Sequence, residues 1–387
     1  MNKREFLKSM AVASLAVSFP EFVFAAPAST IADGYRKLLI LVELKGANDG
    51  LNTVVPYADA EYYRLRPRIA IKRDDVLQLS ESEGLHPALA PLLPLWQANE
   101  LALVRGVGYP NPNLSHFRSI EIWDTASNSE QYLQQGWLAR AFRASPVPRG
   151  FAAAGVIVGN ADPGPFAGGA RTVTLTNTEQ FLRQARLATP GRARGNRALD
   201  HILGVEEEVV QAAKGLGGGA ALATTFPDGA FGNAVRTAAN VLAGKEPVAA
   251  IRLTLNGFDT HQNQPGIHAN LLRQLGEGLA ALKTALVELG RWDSSLILTY
   301  AEFGRRVQEN ASNGTDHGTA NAHFVMGGGV KGGLYGEAPR LDRLDNGNLV
   351  HAVDFRSLYA TALQRWWGVD SVGPLGGRYA TLDLIRA

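Results

Sequence analysis

The sequence predicts one three-layer α/β domain, on three observations. Four apolar runs of strand length, Lys37–Leu44, Leu101–Val104, Val248–Leu255 and Leu296–Thr299, are bounded by turn residues, as expected of strands buried on both faces. Helical stretches separate such runs. The clearest runs from Ile267 to Leu289, with Leu271, Leu275, Leu279, Leu282, Leu286 and Leu289 on one stripe. No internal repeat or long linker divides the chain, so residues 35–387 read as a single domain of alternating buried strands and helices.

A chain of 387 residues is long enough to bury a large core. Its net charge of only +2 argues against a nucleic-acid partner held by a strong basic field. The chain contains no cysteine. That excludes disulfides, thiolate ligands and thiol nucleophiles, and leaves His, Asp, Glu and hydroxyls to build any metal site.

The first 27 residues read as an export signal. Lys3, Arg4 and Lys8 precede a mostly apolar run from Met10 to Phe19, and Ala25, Ala26 and Ala28 offer small-residue cleavage positions. The run is shorter than the ~20 residues a spanning helix needs, so no stable membrane span is expected. Arg4-Glu5-Phe6-Leu7-Lys8 is similar to the core of the twin-arginine motif, with Lys3 where the first arginine would stand. The expectation is a periplasmic protein delivered by the twin-arginine machinery; an ordinary secretory signal or an uncleaved anchor is the alternative.

In chain order, the Lys37–Leu44 strand runs into Gly46-Ala47-Asn48-Asp49-Gly50. This places Asp49 at a strand's carboxyl end, where open α/β sheets bind ligands, although Asn-Asp-Gly is also good turn chemistry. Residues 58–100 read as a connection with short helices, in which His86 opens a helical segment as a cap or packing residue. After the Leu101–Val104 strand, Ser115 stands at the start of a helix marked by Phe117, Ile120 and Trp123. It reads either as a plain N-cap or as a nucleophile favoured by the helix N-terminus, with His116 and Arg118 as secondary candidates for gripping an oxyanion. Gly155–Val158 and Arg171–Leu175 are strand-like. Residues 177–246 are mainly helical and read as an insertion or cap, interrupted by glycines from 215 to 219; Glu206 to Glu208 read as a solvated face.

The Val248–Leu255 strand ends in a loop carrying Asp259 and His261. Two residues apart, they point to one side if the backbone stays extended, which suits a divalent metal. The Leu296–Thr299 strand turns sharply at Glu302-Phe303-Gly304-Arg305. A polar loop with Asp316, His317 and His323 then precedes a strand at Phe324–Met326. The glycines from 332 to 336 lack the strand and helix context of a dinucleotide site, and no phosphate-binding P-loop is present. Phe355–Trp367 reads as a helix whose aromatics pack on the sheet.

Together, GANDGLN at Asp49, SHF at Ser115, FDTHQNQ at Asp259, EFGR at Glu302, TDHGTANAHFVMGGG at Asp316 and DFRSLY at Asp354 resemble domain-of-unknown-function family 1501. These exported bacterial proteins are grouped with the alkaline-phosphatase/sulfatase-like superfamily. The resemblance implies an alkaline-phosphatase-like α/β/α sandwich with a mostly parallel central sheet. It also implies one or two divalent ions (Zn, Ca, Mg or Mn) at the carboxyl ends of the strands, and a hydroxyl or formylglycine nucleophile. On this resemblance Ser115 is the nucleophile, Asp49, Asp259 and His261 are ligands, and Arg305 or Arg118 stabilises charge. Two mappings of the remaining ligands compete. One uses Asp316 and His317 with His323 as the late histidine. The preferred one puts Glu302, directly after its strand, in that place and makes His317 the late histidine, with Asp316 and His323 in support. The expected function is hydrolysis of phosphate or sulfate esters of a small molecule or polysaccharide. The alternatives are a non-catalytic binding or assembly protein on the same fold, and a metal-dependent esterase or phosphonate hydrolase. Formylglycine chemistry is disfavoured, because the chain has no cysteine and Ser115 is not followed by Pro-x-Arg.

Overall fold

The computed structural model describes residues 34–169, 171–186 and 197–386; the expected export signal lies outside them. Nine strands form one sheet: β1 (Leu38–Lys45), β2 (Leu101–Gly108), β3 (Ala153–Val158), β4 (Thr172–Leu175), β5 (Val248–Asn256), β6 (Ser295–Tyr300), β7 (Asn321–Met326), β8 (Gly333–Tyr335) and β9 (Val353–Asp354). Their order is β8-β2-β7-β6-β1-β5-β3-β4, with β9 also pairing with β2. The mostly parallel α/β class expected from the sequence is the one observed. Only β7 runs against its neighbours, antiparallel to both β2 and β6, while every other pairing in this sheet is parallel.

β1 lies at the centre because both of its faces are apolar. Leu38, Ile40, Val42 and Leu44 enter one buried cluster, and Leu39 and Leu41 enter the other. Three layers follow from this alternation. The first cluster is closed by α6 (Ala230–Leu242) and the long α7 (Gln264–Glu288), whose Leu271, Leu275, Leu279, Leu282 and Leu286 supply the stripe read from the sequence. The second is closed by α2 (His116–Thr125), α3 (Trp137–Ala144) and α8 (Phe355–Ala360), where Trp123 stacks on Phe355, Phe355 meets Tyr359 edge-on and Tyr359 stacks on Trp137. α1 (Ala60–Leu65), α4 (Thr178–Ala185) and α5 (Arg197–Leu216) complete the named helices. α6 packs across β5 and β3, so this part of the 177–246 region lies on the sheet itself.

Two features carry no apolar run long enough to be read in advance. A three-stranded sheet of two-residue strands, Val54–Val55, Leu77–Gln78 and Gly84–Leu85, braces the segment after β1. A fully buried ion pair, Arg252 Nη2 to Glu43 Oε2 at 2.8 Å, crosses from β5 to β1 inside the second cluster. His86 is the N-cap of a short 3₁₀ helix, its Nδ1 accepting from the Ala88 N–H at 3.0 Å. No helix among the described residues is long and apolar enough to cross a membrane.

The parallel strands share one consequence: the carboxyl ends of β1, β2, β5 and β6 fall on the same edge. β7 enters the sheet from that edge, so the loop 301–320 that joins β6 to β7 starts and finishes beside the other three.

Candidate metal centre

The loop after β6 folds back on itself. The Gly304 N–H donates to the Thr319 carbonyl, the Gly318 N–H to the Gly304 carbonyl, and Arg305 and His317 form an antiparallel bridge. This return brings His317 beside Phe303, with ring centroids 4.8 Å apart. Asn310 holds the tip together. Its Oδ1 accepts from the Ser312 and Gly314 N–H groups, and its Nδ2 donates to the His261 carbonyl and to Asp316 Oδ1. Gly314 has to be glycine, since a Cβ there would stand 2.2 Å from the His261 carbonyl carbon. The loop after β5 is thus locked to the loop after β6. Thr260 turns inward, leaving Asp259 and His261 on the open side, as the two-residue spacing predicts.

Four side chains from three strand ends meet there. Asp259 Oδ1 lies 3.3 Å from His116 Nε2, 3.1 Å from His261 Nε2 and 3.4 Å from His317 Nε2. His116, Asp259 and His317 each offer one ligand atom within 4.8 Å of the others. Each imidazole is oriented through its other nitrogen. His116 Nδ1 is 2.7 Å from Glu302 Oε1, His317 Nδ1 is 2.8 Å from the Leu114 carbonyl, and His261 Nδ1 is 3.3 Å from Asp316 Oδ1. Carbonyl and carboxylate oxygens only accept, so Nδ1 carries a proton in all three rings and Nε2 is the nitrogen turned to Asp259. His261 Nε2 and His317 Nε2 are 2.9 Å apart, an approach that requires a proton or a cation between them.

The residues fit a metal ion. Ligands ~2.0–2.1 Å from a tetrahedral ion stand about 3.3 Å apart, which the distances from Asp259 Oδ1 to the three imidazoles match; the mutually close group is His116, Asp259 and His317, with His261 joined to it through Asp259 and His317. Nδ1 donation to a carboxylate or backbone carbonyl is the arrangement that fixes the tautomer of a metal-binding histidine. Electrostatics differ among the rings. The Glu302 hydrogen bond raises the His116 pKa, against a smaller effect of burial, whereas burial lowers that of His317. Burial alone would raise the Asp259 carboxyl, but the Arg305 guanidinium 2.7 Å away overrides it and holds the group below the usual carboxylate range.

Several residues expected at this site serve it from behind or not at all. Glu302 is buried, and its Oε1 accepts from both His116 and the Gly46 N–H at 3.0 Å. It therefore orients a ring, as Asp316 does for His261, and neither carboxylate of the two competing mappings joins the converging atoms. Gly46 has φ +106°, and a Cβ there would meet the Asp259 nitrogen at 2.4 Å, so only glycine lets β1's loop pass this close. Asp49 is not brought to the cluster. Its Oδ2 accepts from Arg66, 2.6 Å away and fully buried, and from Gln264, so its charge is paired away from the converging histidines. His323 lies in the core of β7, edge-on to Trp123 with centroids 5.3 Å apart; burial lowers its pKa to about 3. Arg305 is not available to a substrate. Its fully buried guanidinium donates to the carbonyls of Ala47, Thr315, Gly46 and Phe258 and to Asp259. Arg118 is likewise committed, its Nη2 to the carbonyls of Asn128, Ser129 and Gln131 and its Nη1 to Glu121 Oε2 at 2.9 Å.

Ser115 is the N-cap residue of α2, yet its side chain makes no capping bond and is exposed. Its N–H is held by Asn113 Oδ1 at 2.9 Å, and it stands between His116 and Leu114, the residue whose carbonyl orients His317. His116, read from the sequence as an oxyanion contact, is instead one of the converging rings. Arg66, Gln264 and Asn310 were missed, because they act through contacts between loops far apart in the chain and carry no local pattern.

The sequence profile of the family described as "Protein of unknown function (DUF1501)" matches residues 102–371. The chain belongs to this family. No curated protein matches it in sequence. Structures to which this DUF1501 protein is similar include a protein in the alkaline phosphatase superfamily from Vibrio parahaemolyticus. That match has 12% identity, covers 98% of this chain and 78% of that one, and has a TM-score of 0.43. Others are the C-terminal periplasmic domain of EcEptC from Escherichia coli (10% identity, 89% and 88% covered, TM-score 0.41) and the lipoteichoic acid synthase LtaP from Listeria monocytogenes (11%, 91% and 80%, 0.39).

Proposed function

We propose that this DUF1501 protein is an exported, metal-dependent hydrolase of phosphate or sulfate esters with Ser115 as nucleophile. The observation that carries the reading is the convergence of three Nδ1-protonated imidazoles on Asp259 Oδ1, at the strand ends where such folds bind ligands. His116, Asp259, His261 and His317 would hold one divalent ion. Asp49 would contribute none, since Arg66 already neutralises it. A bound ion supplies Lewis-acid polarisation of an ester oxygen and eases ionisation of a neighbouring hydroxyl.

The chain's own residues do the rest. Arg305 holds Asp259 as a carboxylate, and Glu302, Asp316 and the Leu114 carbonyl hold the rings in one tautomer. The Ser115 hydroxyl, unused as a cap, lies at the positive end of α2, which favours negative charge on its oxygen. In the proposed reaction Ser115 Oγ bonds to phosphorus or sulfur and loses its proton to solvent. The substrate's ester P–O or S–O bond breaks, and the alcohol leaves with a proton. Water then displaces Oγ and restores the hydroxyl.

Elemental analysis with an ester panel tests this. About one equivalent of divalent metal per chain and turnover of aryl phosphate or sulfate are expected. Ser115→Ala should abolish turnover while leaving metal content and thermal stability unchanged, and unchanged activity would remove Ser115 from its role. One observation favours a second reading, a binding or assembly protein on the same scaffold: Arg305 and Arg118 are both committed to backbone carbonyls and to the chain's own carboxylates, and offer no guanidinium to a substrate anion. Protein that takes up metal yet turns over none of the panel would support that alternative.

A further inference from the structure

Phe117 is 89% exposed, the most exposed large hydrophobic side chain among the described residues, and it directly follows Ser115 and His116 in the first turn of α2. Tyr132, 74% exposed, stands on the adjoining loop. That loop is fastened to the same turn. The Arg118 guanidinium stacks on the Tyr132 ring at 3.9 Å while donating to the carbonyls of Asn128, Ser129 and Gln131. The Ser129 hydroxyl ties it to the Asn111 carbonyl, on the segment that leads into Ser115. An aromatic side chain in water forfeits the gain of burying it, and here two are held out by rigid backing next to a reactive site. Amides predominate on the same segments: Asn111, Asn128 and Gln131 are exposed and Asn113 is half-buried, with the Glu130 carboxylate the one exposed charge between them.

We propose that Phe117 and Tyr132 form a stacking platform for a sugar ring of the substrate, at the mouth of the metal centre. This rests on the hydrolase reading for its place at the ester, but not for the binding itself. A pyranose has one apolar C–H face and a rim of hydroxyls that both donate and accept. Aromatic faces match the first, and amides, which also donate and accept, match the second. A purely aromatic leaving group would not need the amides. A phosphate or sulfate group recognised by charge would need cations, which the wall does not present, because the buried Arg118 guanidinium is paired with Glu121 through Nη1 and turned to backbone carbonyls through Nη2. The substrate class is therefore a sugar or polysaccharide ester, whose ring rests on the wall while its ester reaches Ser115.

The test uses the full zinc-loaded chain and its Phe117→Ala and Tyr132→Ala variants. Neutral oligosaccharides (gluco-, galacto- and chito-hexaoses) are titrated calorimetrically, and turnover of glucose 6-phosphate, glucose 6-sulfate and methyl phosphate is followed in parallel. At least one hexaose should bind. Each variant should weaken it about 3- to 10-fold, the effect of losing one aromatic stacking contact. KM for glucose 6-phosphate should rise by a similar factor in Phe117→Ala, with methyl phosphate unchanged. Absence of hexaose binding, or binding indifferent to both variants, overturns the platform. Hexaose binding that depends on Phe117, with neither phosphate ester nor glucose 6-sulfate turned over, upholds the platform and overturns the hydrolase reading instead.

Discussion

Replacing Arg305 by methionine separates two roles that look alike in the sequence. An arginine just past a strand end beside a metal site reads as a charge stabiliser for the reacting group. In the structure it is a clamp: five acceptors on three loops, Ala47, Thr315, Gly46, Phe258 and Asp259, converge on one buried guanidinium. Methionine fills much of the volume and donates to none of them. Breaking a buried charged network by removing one partner costs ~3–5 kcal/mol. At ~2.1 cal/mol/K per residue, a chain of 387 residues unfolds with an entropy of roughly 0.8 kcal/mol/K, so the loss corresponds to about 4–6 °C in Tm. Asp259 would lose the donor that fixes it together with a cation that competes for its Oδ1, so the zinc-dependent gain in Tm should change as well. Differential scanning fluorimetry with and without added zinc reads both effects. A Tm unchanged within about 1 °C, together with lost turnover, would refute the clamp and return Arg305 to the substrate.

Glu302→Gln keeps an acceptor for the Gly46 N–H but removes the charge behind His116, and should lower zinc affinity about 10- to 100-fold by competition titration. Asp49→Asn should leave metal stoichiometry at one while destabilising the fold by ~3–5 kcal/mol, because Arg66 stays buried without its counter-charge; loss of the metal instead would make Asp49 a ligand. Burial lowers the pKa of His86 to about 4 and of His268 and His323 to about 3. All three folded values lie below the ordinary ~6.5, so the unfolded chain takes up protons first. Stability should hold above pH ~6.5 and fall progressively from there to about pH 3. Urea denaturation across that range checks this, and His323→Phe should flatten the curve.

The sequence carried the architecture because the central strands are runs apolar on both faces, too short for a buried helix and bounded by turn residues. It was silent on the direction of β7, because Asn321–Met326 reads the same whichever way the loop before it returns. At the site, Asp259 and His261 were legible since their spacing alone puts both on one side of an extended segment. Asp49 and Arg305 misled for one reason. A charged residue at a strand end looks functional until its partner is seen, and the partners, Arg66 and the carbonyls of four separate residues, leave no mark near them in the chain. His323 misled through parity: it shares a face of β7 with Val325, turned toward Trp123 in the core.

The reversed course of β7 bears on how this site can change. Because the segment 301–320 leaves and rejoins the sheet at one edge, it behaves as a removable cassette: its length and content can vary without moving a strand. Arg305 limits that freedom, since the cassette is bolted to Gly46, Ala47 and Phe258 on two other loops. A graft of 301–320 from another protein should keep the sheet intact, yet it would assemble a working site only if the recipient loops offer the same carbonyls to its arginine.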